Sequence, residues 1–402
     1  MAGKKTLEEL KVQDMNNDST LDIMDVRLLL QAYINKDKPI EIKTDESGTT
    51  EHEEKITVEK IHFIKLGYKA DAILIESDGK FAMIDTGIDK TISQNNIKKY
   101  LNKLGVKKLE FLLLTHSHSD HIGGVDMLID NFSIGTVYMK KPPTKEQADV
   151  DKTGEVHKER VMTITNVNKK VVAKGINFKY LTENDDRMTF NLGNMTITFY
   201  NTKQRYSEKT YIGSDGHYSY NEAVFSPTFG SKYSSSGAGC WRNDNSICTL
   251  IEYSDKKHSA LLMGDMDNCN LSRSVINMAQ NKIEKDFGSG NYLDIYKIGH
   301  HGLGGFVNNE GKRGVLKNPL AVHARYLVAT NNVEPFADKG KYATSTSSSG
   351  LLNFGDGKKP FTFTLLEFNG KIATKNNIHF VEDTSQDAIV YDLSNEKIQV
   401  IK

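Results

Sequence analysis

His116, His118, Asp120 and His121 stand within six residues of one another, in the order His-x-His-x-Asp-His. They follow the apolar run Phe111-Leu112-Leu113-Leu114. Such a run reads as a buried strand, with the four side chains at its C-terminal end. On an extended backbone, residues i and i+2 point the same way. His116 and His118 therefore face one metal position. The chain then turns, and Asp120 and His121 face a second. Imidazole and carboxylate with no thiol nearby suit zinc, with manganese or iron as alternatives. A solvated loop rich in His by chance is the competing reading, and the fully apolar strand before it argues against that.

The ten residues from Thr115 to Gly124 resemble the signature of the metallo-β-lactamase superfamily. The resemblance implies an α+β fold, a four-layer αββα sandwich with its site at strand ends. Three further strands then matter, because each carries a ligand type at its end. Phe81-Ala82-Met83-Ile84 runs into Asp85-Thr86-Gly87. A carboxylate there orients a ligating His or the bound water, or it only caps the next turn. Ala260-Leu261-Leu262-Met263 ends in Gly264-Asp265, and Asp265 is expected to bridge two metals. Leu293-Asp294-Ile295-Tyr296-Lys297-Ile298 ends in Gly299-His300-His301-Gly302. His301 is expected to complete the second metal's ligands, with His300 beside it facing substrate. The metal set is thus His116, His118, Asp120, His121, Asp265 and His301, and the catalytic set Asp120, Asp85 and His300.

The resemblance narrows further. His62-Phe63-Ile64, Asp71-Ala72-Ile73-Leu74, Met83 through Gly87, Asn243-Asp244-Asn245-Ser246 and His300-His301-Gly302 look like the branch containing the competence DNA-uptake nuclease domain. Closer still are the teichoic-acid phosphorylcholine esterases, through Ile75 to Met83, Thr115 to Ile122, Val137 to Lys141, Gly264 to Asn268 and Asp387 to Asp392. This likeness runs over roughly residues 58 to 402. One departure stands out. Many superfamily members have a further His between the first cluster and the bridging Asp, where this chain has Trp241-Arg242-Asn243-Asp244-Asn245-Ser246. His217 and His258 lie in the interval but follow no apolar strand, and read as surface residues. The first metal then has His116, His118 and Asp265, with water or an oxygen from Asn243 to Asn245.

Paired metals lower the pKa of a bound water, so that a metal-bound hydroxide can attack phosphorus near neutral pH. The leading expectation is a phosphodiesterase that acts on a phosphorylcholine-type or other cell-envelope phosphodiester. A nuclease of the competence type is the alternative. A β-lactamase fits less well, and a non-catalytic binding protein docked through the N-terminal module comes last.

Lys+Arg and Asp+Glu are both 52 in 402 residues, giving a formal net charge of zero. Broad DNA binding relies on neutralising phosphates with basic residues, so this balance weighs against it. No apolar run approaches the eighteen residues of a membrane-spanning helix. No signal peptide is visible at the first residue. Three cysteines, Cys240, Cys248 and Cys269, form no C-x-x-C pair, so a thiolate zinc site is not expected.

Residues 14 to 25 place Asp14, Asn16, Asp18, Asp22 and Asp25 at positions 1, 3, 5, 9 and 12 of a calcium loop, with the Thr20 carbonyl at position 7. Ser19 stands where Gly is usual, and Asp25 where Glu is usual. The segment looks like one dockerin repeat, which implies calcium, a cohesin-like partner and a secreted or cell-surface setting, with the cytoplasm as the alternative. An acidic helix start without metal is the plainer reading. The expected division is a calcium-loop module at 1–38, a polar linker at 39–57 and the catalytic domain at 58–402. Within the last, residues 204 to 241 are rich in Tyr, Gly and Ser. Tyr218, Tyr220 and Trp241 there are expected at a substrate rim, where aromatic faces attract a quaternary ammonium group.

Overall fold

The structure is a computed structural model. It describes residues 58–142, 162–203, 210–212, 218–220, 243, 245–266, 269–289, 291, 293–302, 324–332, 365–368, 371–373, 378–393 and 397–402. The calcium loop at 14–25 and the linker lie outside the described residues, as do Trp241 and His217.

The first half of the domain runs β1 (Glu59–Ile64), β2 (Ile73–Ser77), β3 (Lys80–Ile84), α1 (Thr91–Lys103), β4 (Lys108–Leu113), α2 (Ser119–Ile122), α3 (Val125–Asn131), β5 (Ser133–Lys140), α4 (Met162–Ala173) and β6 (Asn177–Leu181). The second half runs β7 (Thr189–Leu192), β8 (Met195–Tyr200), β9 (Thr210–Ile212), β10 (Tyr218–Tyr220), β11 (Cys248–Glu252), β12 (Ser259–Leu262), α5 (Cys269–Phe287), β13 (Leu293–Lys297), β14 (Ala324–Ala329), β15 (Leu365–Phe368), β16 (Lys371–Ala373), β17 (Ile378–Phe380), β18 (Ala388–Asp392) and β19 (Gln399–Ile401). One sheet has the order β19-β18-β1-β2-β3-β4-β5-β6 and the other β17-β14-β13-β12-β11-β8-β7. β9 with β10, and β15 with β16, form two-stranded ribbons.

Each large sheet is antiparallel at one end and parallel at the other. β3, β4, β5 and β6 are parallel in the first. β12, β13, β14 and β17 are parallel in the second. Parallel strands need crossover connections, and these cover the sheet with helices. β4 shows the result. Phe111 and Leu113 join a core that also holds Ile197, Phe199, Ile295 and Val328 of the second sheet. Leu109, Leu112 and Leu114 pack the other way, against helices. That outer layer meets Ile97 and Leu101 of α1, Val125, Leu128 and Ile129 of α3, and Ile164, Val167 and Val171 of α4, the apolar spacing of helices lying on a sheet. Val275, Ile276, Ala279 and Ile283 of α5 cover the outer face of the second sheet. The packing order is therefore helix, sheet, sheet, helix. Each buried large apolar side chain contributes about 1.5–3 kcal/mol, so these three clusters are what the mixed sheets exist to build.

Pairing sets where strand ends fall. Ile84 stands beside Leu113 in register. Leu262 stands beside Lys297, and Lys297 beside Val328. The residues after these positions, at the C-terminal ends of parallel strands, are Asp85, Thr115, Asp265, His301 and Thr330. Open α/β sheets present ligand sites at such ends.

Candidate metal centre

The β4 exit begins with Thr115. Its N–H and hydroxyl both donate to Asp85, at 2.8 and 2.7 Å. His116 follows in a bend and His118 on extended backbone, and His116 Nε2 lies 2.9 Å from His118 Nδ1. His118 caps the four-residue α2, whose turn carries Asp120 and His121 round to a second side. Gly123 and Gly124 close this loop because the backbone leaves no room for a side chain. A Cβ on Gly123 would lie 2.1 Å from the Asp89 nitrogen, and one on Gly124 2.2 Å from the Thr86 oxygen. Thr86 in turn donates its N–H to the His121 carbonyl at 2.6 Å.

Two ligand groups result. His116, His118 and Asp265 converge in one, and Asp71, His121, Asp265 and His301 in the other, with Asp265 common to both. Asp120 belongs with the second group, since its Oδ2 is 3.2 Å from His301 Nε2. His121 Nε2 faces Asp265 Oδ1 at 3.0 Å, and His301 Nε2 faces Asp265 Oδ2 at 3.4 Å. Neither His121 Nε2 nor Asp265 Oδ1 has a hydrogen-bond partner, although both are buried. An imidazole nitrogen and a carboxylate oxygen that converge in the interior without another partner fit a cation. The charge balance agrees: the carboxylates of Asp71, Asp85, Asp120 and Asp265 each meet the His121 or His301 imidazole, and Lys297 pairs with Asp71 and lies 4.0 Å from Asp265. The donor set therefore fits divalent ions, with His116, His118 and Asp265 for one and Asp120, His121, Asp265 and His301 for the other.

The outer nitrogens of His121 and His116 are also held. His121 Nδ1 lies 2.6 Å from Asp85 Oδ2. His116 Nδ1 lies 3.1 Å from the Thr115 hydroxyl and 3.3 Å from that of Ser246. Carboxylate and hydroxyl partners of this kind fix the tautomer and aim the other nitrogen at the ion. Asp85 is fully buried behind His121. Its carboxylate meets His121 and Thr115.

Electrostatics follow from this crowding. Burial raises the Asp85 carboxyl above its usual range despite His121 beside it. Burial would also raise Asp120, but His301 and His121 outweigh it and hold the carboxyl well below the usual range. Burial opposes charge on His301, yet Asp265 and Asp71 push its pKa up to about 10. The same contest, with Asp265 and Asp85 opposing burial, raises His121. His116 goes the other way: burial, then His121 and His118, push it well below the imidazole range, which keeps it in the ligating form.

His300 is a quarter exposed, with Nε2 3.9 Å from Asp265 Oδ2. It and His301 both have left-handed backbone, at φ 49° and 53°, a conformation that clusters at functional sites. Where the expected intermediate His is absent, the Asn243–Ser246 turn fills the place. The Asn243 amide nitrogen lies 3.3 Å from His300 Nδ1, and Ser246 reaches His116. His258 sits apart, bonded to Asp255 in the turn between β11 and β12. Tyr218 and Tyr220 lie on β10, opposite Ile212 and Thr210.

Three residues of the site were not expected from sequence: Asp71, Lys297 and Thr330. A lysine at the end of the buried strand β13 was the available signal. Lys297 is fully buried.

Residues 67–191 match the model of the metallo-beta-lactamase superfamily. That span holds Asp85 and the His116–His121 cluster and stops before Asp265. An uncharacterized protein, YobT of Bacillus subtilis (strain 168), is 33% identical over 76 residues, 19% of this chain and 31% of that protein. The match thus spans under a third of that curated relative's length. Among solved structures, a Cronobacter sakazakii metallo-beta-lactamase with an HARLDQ motif is 13% identical over 56% of this chain and 66% of that one, at a TM-score of 0.27. A diphosphatase from the PhnP family is 11% identical over 60% and 73%, at a TM-score of 0.30. No helix among the described residues is long and apolar enough to cross a membrane.

Proposed function

We propose that this chain, which carries a metallo-beta-lactamase superfamily domain, is a metal-dependent phosphodiesterase that acts on a phosphorylcholine-type or other cell-envelope phosphodiester. The observation that carries the reading is Asp265, shared by two imidazole-bearing ligand groups. Paired divalent ions held by such a set supply Lewis acidity, both toward a nucleophilic water and toward the phosphoryl oxygens.

The chain's own residues do the rest. Asp85, Thr115 and Ser246 hold the outer nitrogens of His121 and His116, so that both imidazoles keep one orientation. Asp120 is held ionised and remains about one-fifth exposed. It is placed to accept a hydrogen bond from a water approaching the site. His300 stands at the open edge beside Asp265 and is placed to give a proton to the departing oxygen. Zinc is the preferred ion for an imidazole and carboxylate set, with manganese or iron next. Calcium at Asp14, Asn16, Asp18, Thr20, Asp22 and Asp25, a cohesin-like partner and a secreted or cell-surface setting belong to the same reading.

The test is a parallel screen of the zinc-reconstituted protein on a choline phosphodiester, single-stranded DNA and a chromogenic β-lactam. Turnover of the choline diester, lost in Asp120→Ala, is expected. Turnover of DNA alone would replace this reading with a nuclease.

A further inference from the structure

We infer that Asp71, held by Lys297, is an outer positioning residue for one ion position only, the one held by Asp120, His121 and His301. The inference rests on the metal-centre reading above and assigns Asp71 a role other than ligand.

Asp71 lies close enough to His121, Asp265 and His301 to count among the ligands. The imidazoles decide otherwise. Asp71 faces their Nδ1 atoms, at 3.8 Å for His121 and 3.1 Å for His301. Asp265 faces their Nε2 atoms, at 3.0 and 3.4 Å. Both rings therefore stand between Asp71 and the place where an ion would sit. The Asp71 carboxylate is also engaged elsewhere. Oδ2 pairs with Lys297 Nζ, and Oδ1 accepts from the Thr330 hydroxyl and lies against His301 Nδ1.

Lys297 explains how that carboxylate stays charged in the interior, since a buried charge is retained when it is paired. Its ammonium has a second task. It donates to the Gly264 carbonyl at 2.7 Å, and the same carbonyl accepts from the His300 N–H at 3.2 Å. The turn that carries Asp265 is thereby tied to the left-handed turn that carries His301. Asp71 also binds through its backbone: its N–H donates to the Asp120 carbonyl at 3.1 Å, and its carbonyl accepts from Gly87 at 2.7 Å. One residue in the loop before β2 thus locates Asp120 by its main chain and His301 by its side chain. His116 takes its outer hydrogen bonds from Thr115 and Ser246 instead. Asp71 thus acts on one position and leaves the other to Thr115 and Ser246, whereas Lys297 also steadies the turn that carries the shared Asp265.

The test is an equilibrium titration of metal-free protein with Zn2+ against a chromophoric chelator, which needs no substrate. Wild type is expected to take up two equivalents. Thr330→Val is expected to keep one equivalent at wild-type affinity and to weaken the other by about 10–100-fold, the usual effect of losing an outer partner, whereas Lys297→Met, which also frees the Gly264 carbonyl, is expected to weaken both. Placing Thr330→Val in a His116→Ala background identifies which position weakened. If both equivalents of Thr330→Val keep wild-type affinity, or both weaken alike, the inference fails. Should Lys297→Met not fold by far-UV circular dichroism, Thr330→Val decides, because it removes one hydroxyl and no charge. Wild type that binds no Zn2+ would instead overturn the metal-centre reading itself.

Discussion

Asp85→Asn keeps the shape of the side chain and removes its charge, and the structure gives the size of the effect. Asp85 accepts the Thr115 N–H at 2.8 Å, the Thr115 hydroxyl at 2.7 Å and His121 Nδ1 at 2.6 Å. An amide has one acceptor oxygen where the carboxylate has two, so at least one of these three donors meets an N–H. The Thr115 hydroxyl is also the group beside His116 Nδ1, at 3.1 Å. Misplacing it therefore reaches both ion positions. A hydrogen bond to a charged group is worth about 1.5–3 kcal/mol. Outer-partner loss costs about 10–100-fold in metal affinity, which is about 1.4–2.8 kcal/mol at 1.4 kcal/mol per tenfold. The two estimates agree. Zn2+ titration of metal-free Asp85→Asn should thus show both equivalents weakened by one to two powers of ten, unlike the single-position loss expected of Thr330→Val. A folded Asp85→Asn that binds both equivalents within about threefold of wild type, a difference well under 1.4 kcal/mol, would refute the relay through Thr115.

Other perturbations have different signatures. His300→Gln should leave Zn2+ affinity unchanged and lower kcat by about 10²-fold, the low end for a lost acid–base group; an unchanged kcat removes His300 from the proton transfer. Gly124→Ala should lower unfolding stability by roughly 3 kcal/mol, the upper part of the overpacking range, because its Cβ would meet the Thr86 oxygen at 2.2 Å; chemical unfolding checks it. Chelation should lower the thermal midpoint, since a ligand present at a hundred times its Kd stabilises by about 2.7 kcal/mol. Asp294 tests pH dependence away from the site. Burial pushes its pKa up to about 6, so the folded state holds this proton more tightly than the unfolded state does. Its contribution to stability is highest below about pH 4, the unfolded value, and is lost as pH rises to about 6. At 1.36 kcal/mol per unit the loss is about 3 kcal/mol. Asp294→Asn keeps the acceptor for the Ser259 N–H and should gain on wild type by up to about 3 kcal/mol between pH 4 and 7; a pH-independent difference would contradict the assignment.

The site was legible in sequence wherever a ligand sat at the end of an apolar run. Thr115 through His121, Asp85, Asp265 and His301 all announce themselves that way, because a buried strand reads as a run and its exit as a break in it. Asp71 did not, because its meaning comes from pairing across the two sheets. Its partner His301 lies 230 residues away, and no local pattern records that distance. Asp71 also lies in the loop before β2, which starts at Ile73. That loop position lets its N–H reach Asp120. β7 and β8 pair as a hairpin about Gly193-Asn194, and the alternation from Phe190 to Phe199 carries that hairpin in the sequence. The layer order came from family likeness. The switch from antiparallel to parallel pairing within each sheet left no trace in any single strand's residues. The Asn243–Ser246 turn showed only as a missing His; its hydroxyl and amide contacts needed the fold.

The central claim is a two-ion centre bridged by Asp265. Anomalous diffraction at the zinc edge from crystals of the Zn2+-reconstituted protein tests it most directly. Two peaks are predicted, about 3.5–4 Å apart as in two-metal hydrolytic sites, both in contact with Asp265, with His116 and His118 on one and Asp120, His121 and His301 on the other. A single peak, no peak, or a peak coordinated by Asp71 would contradict the account.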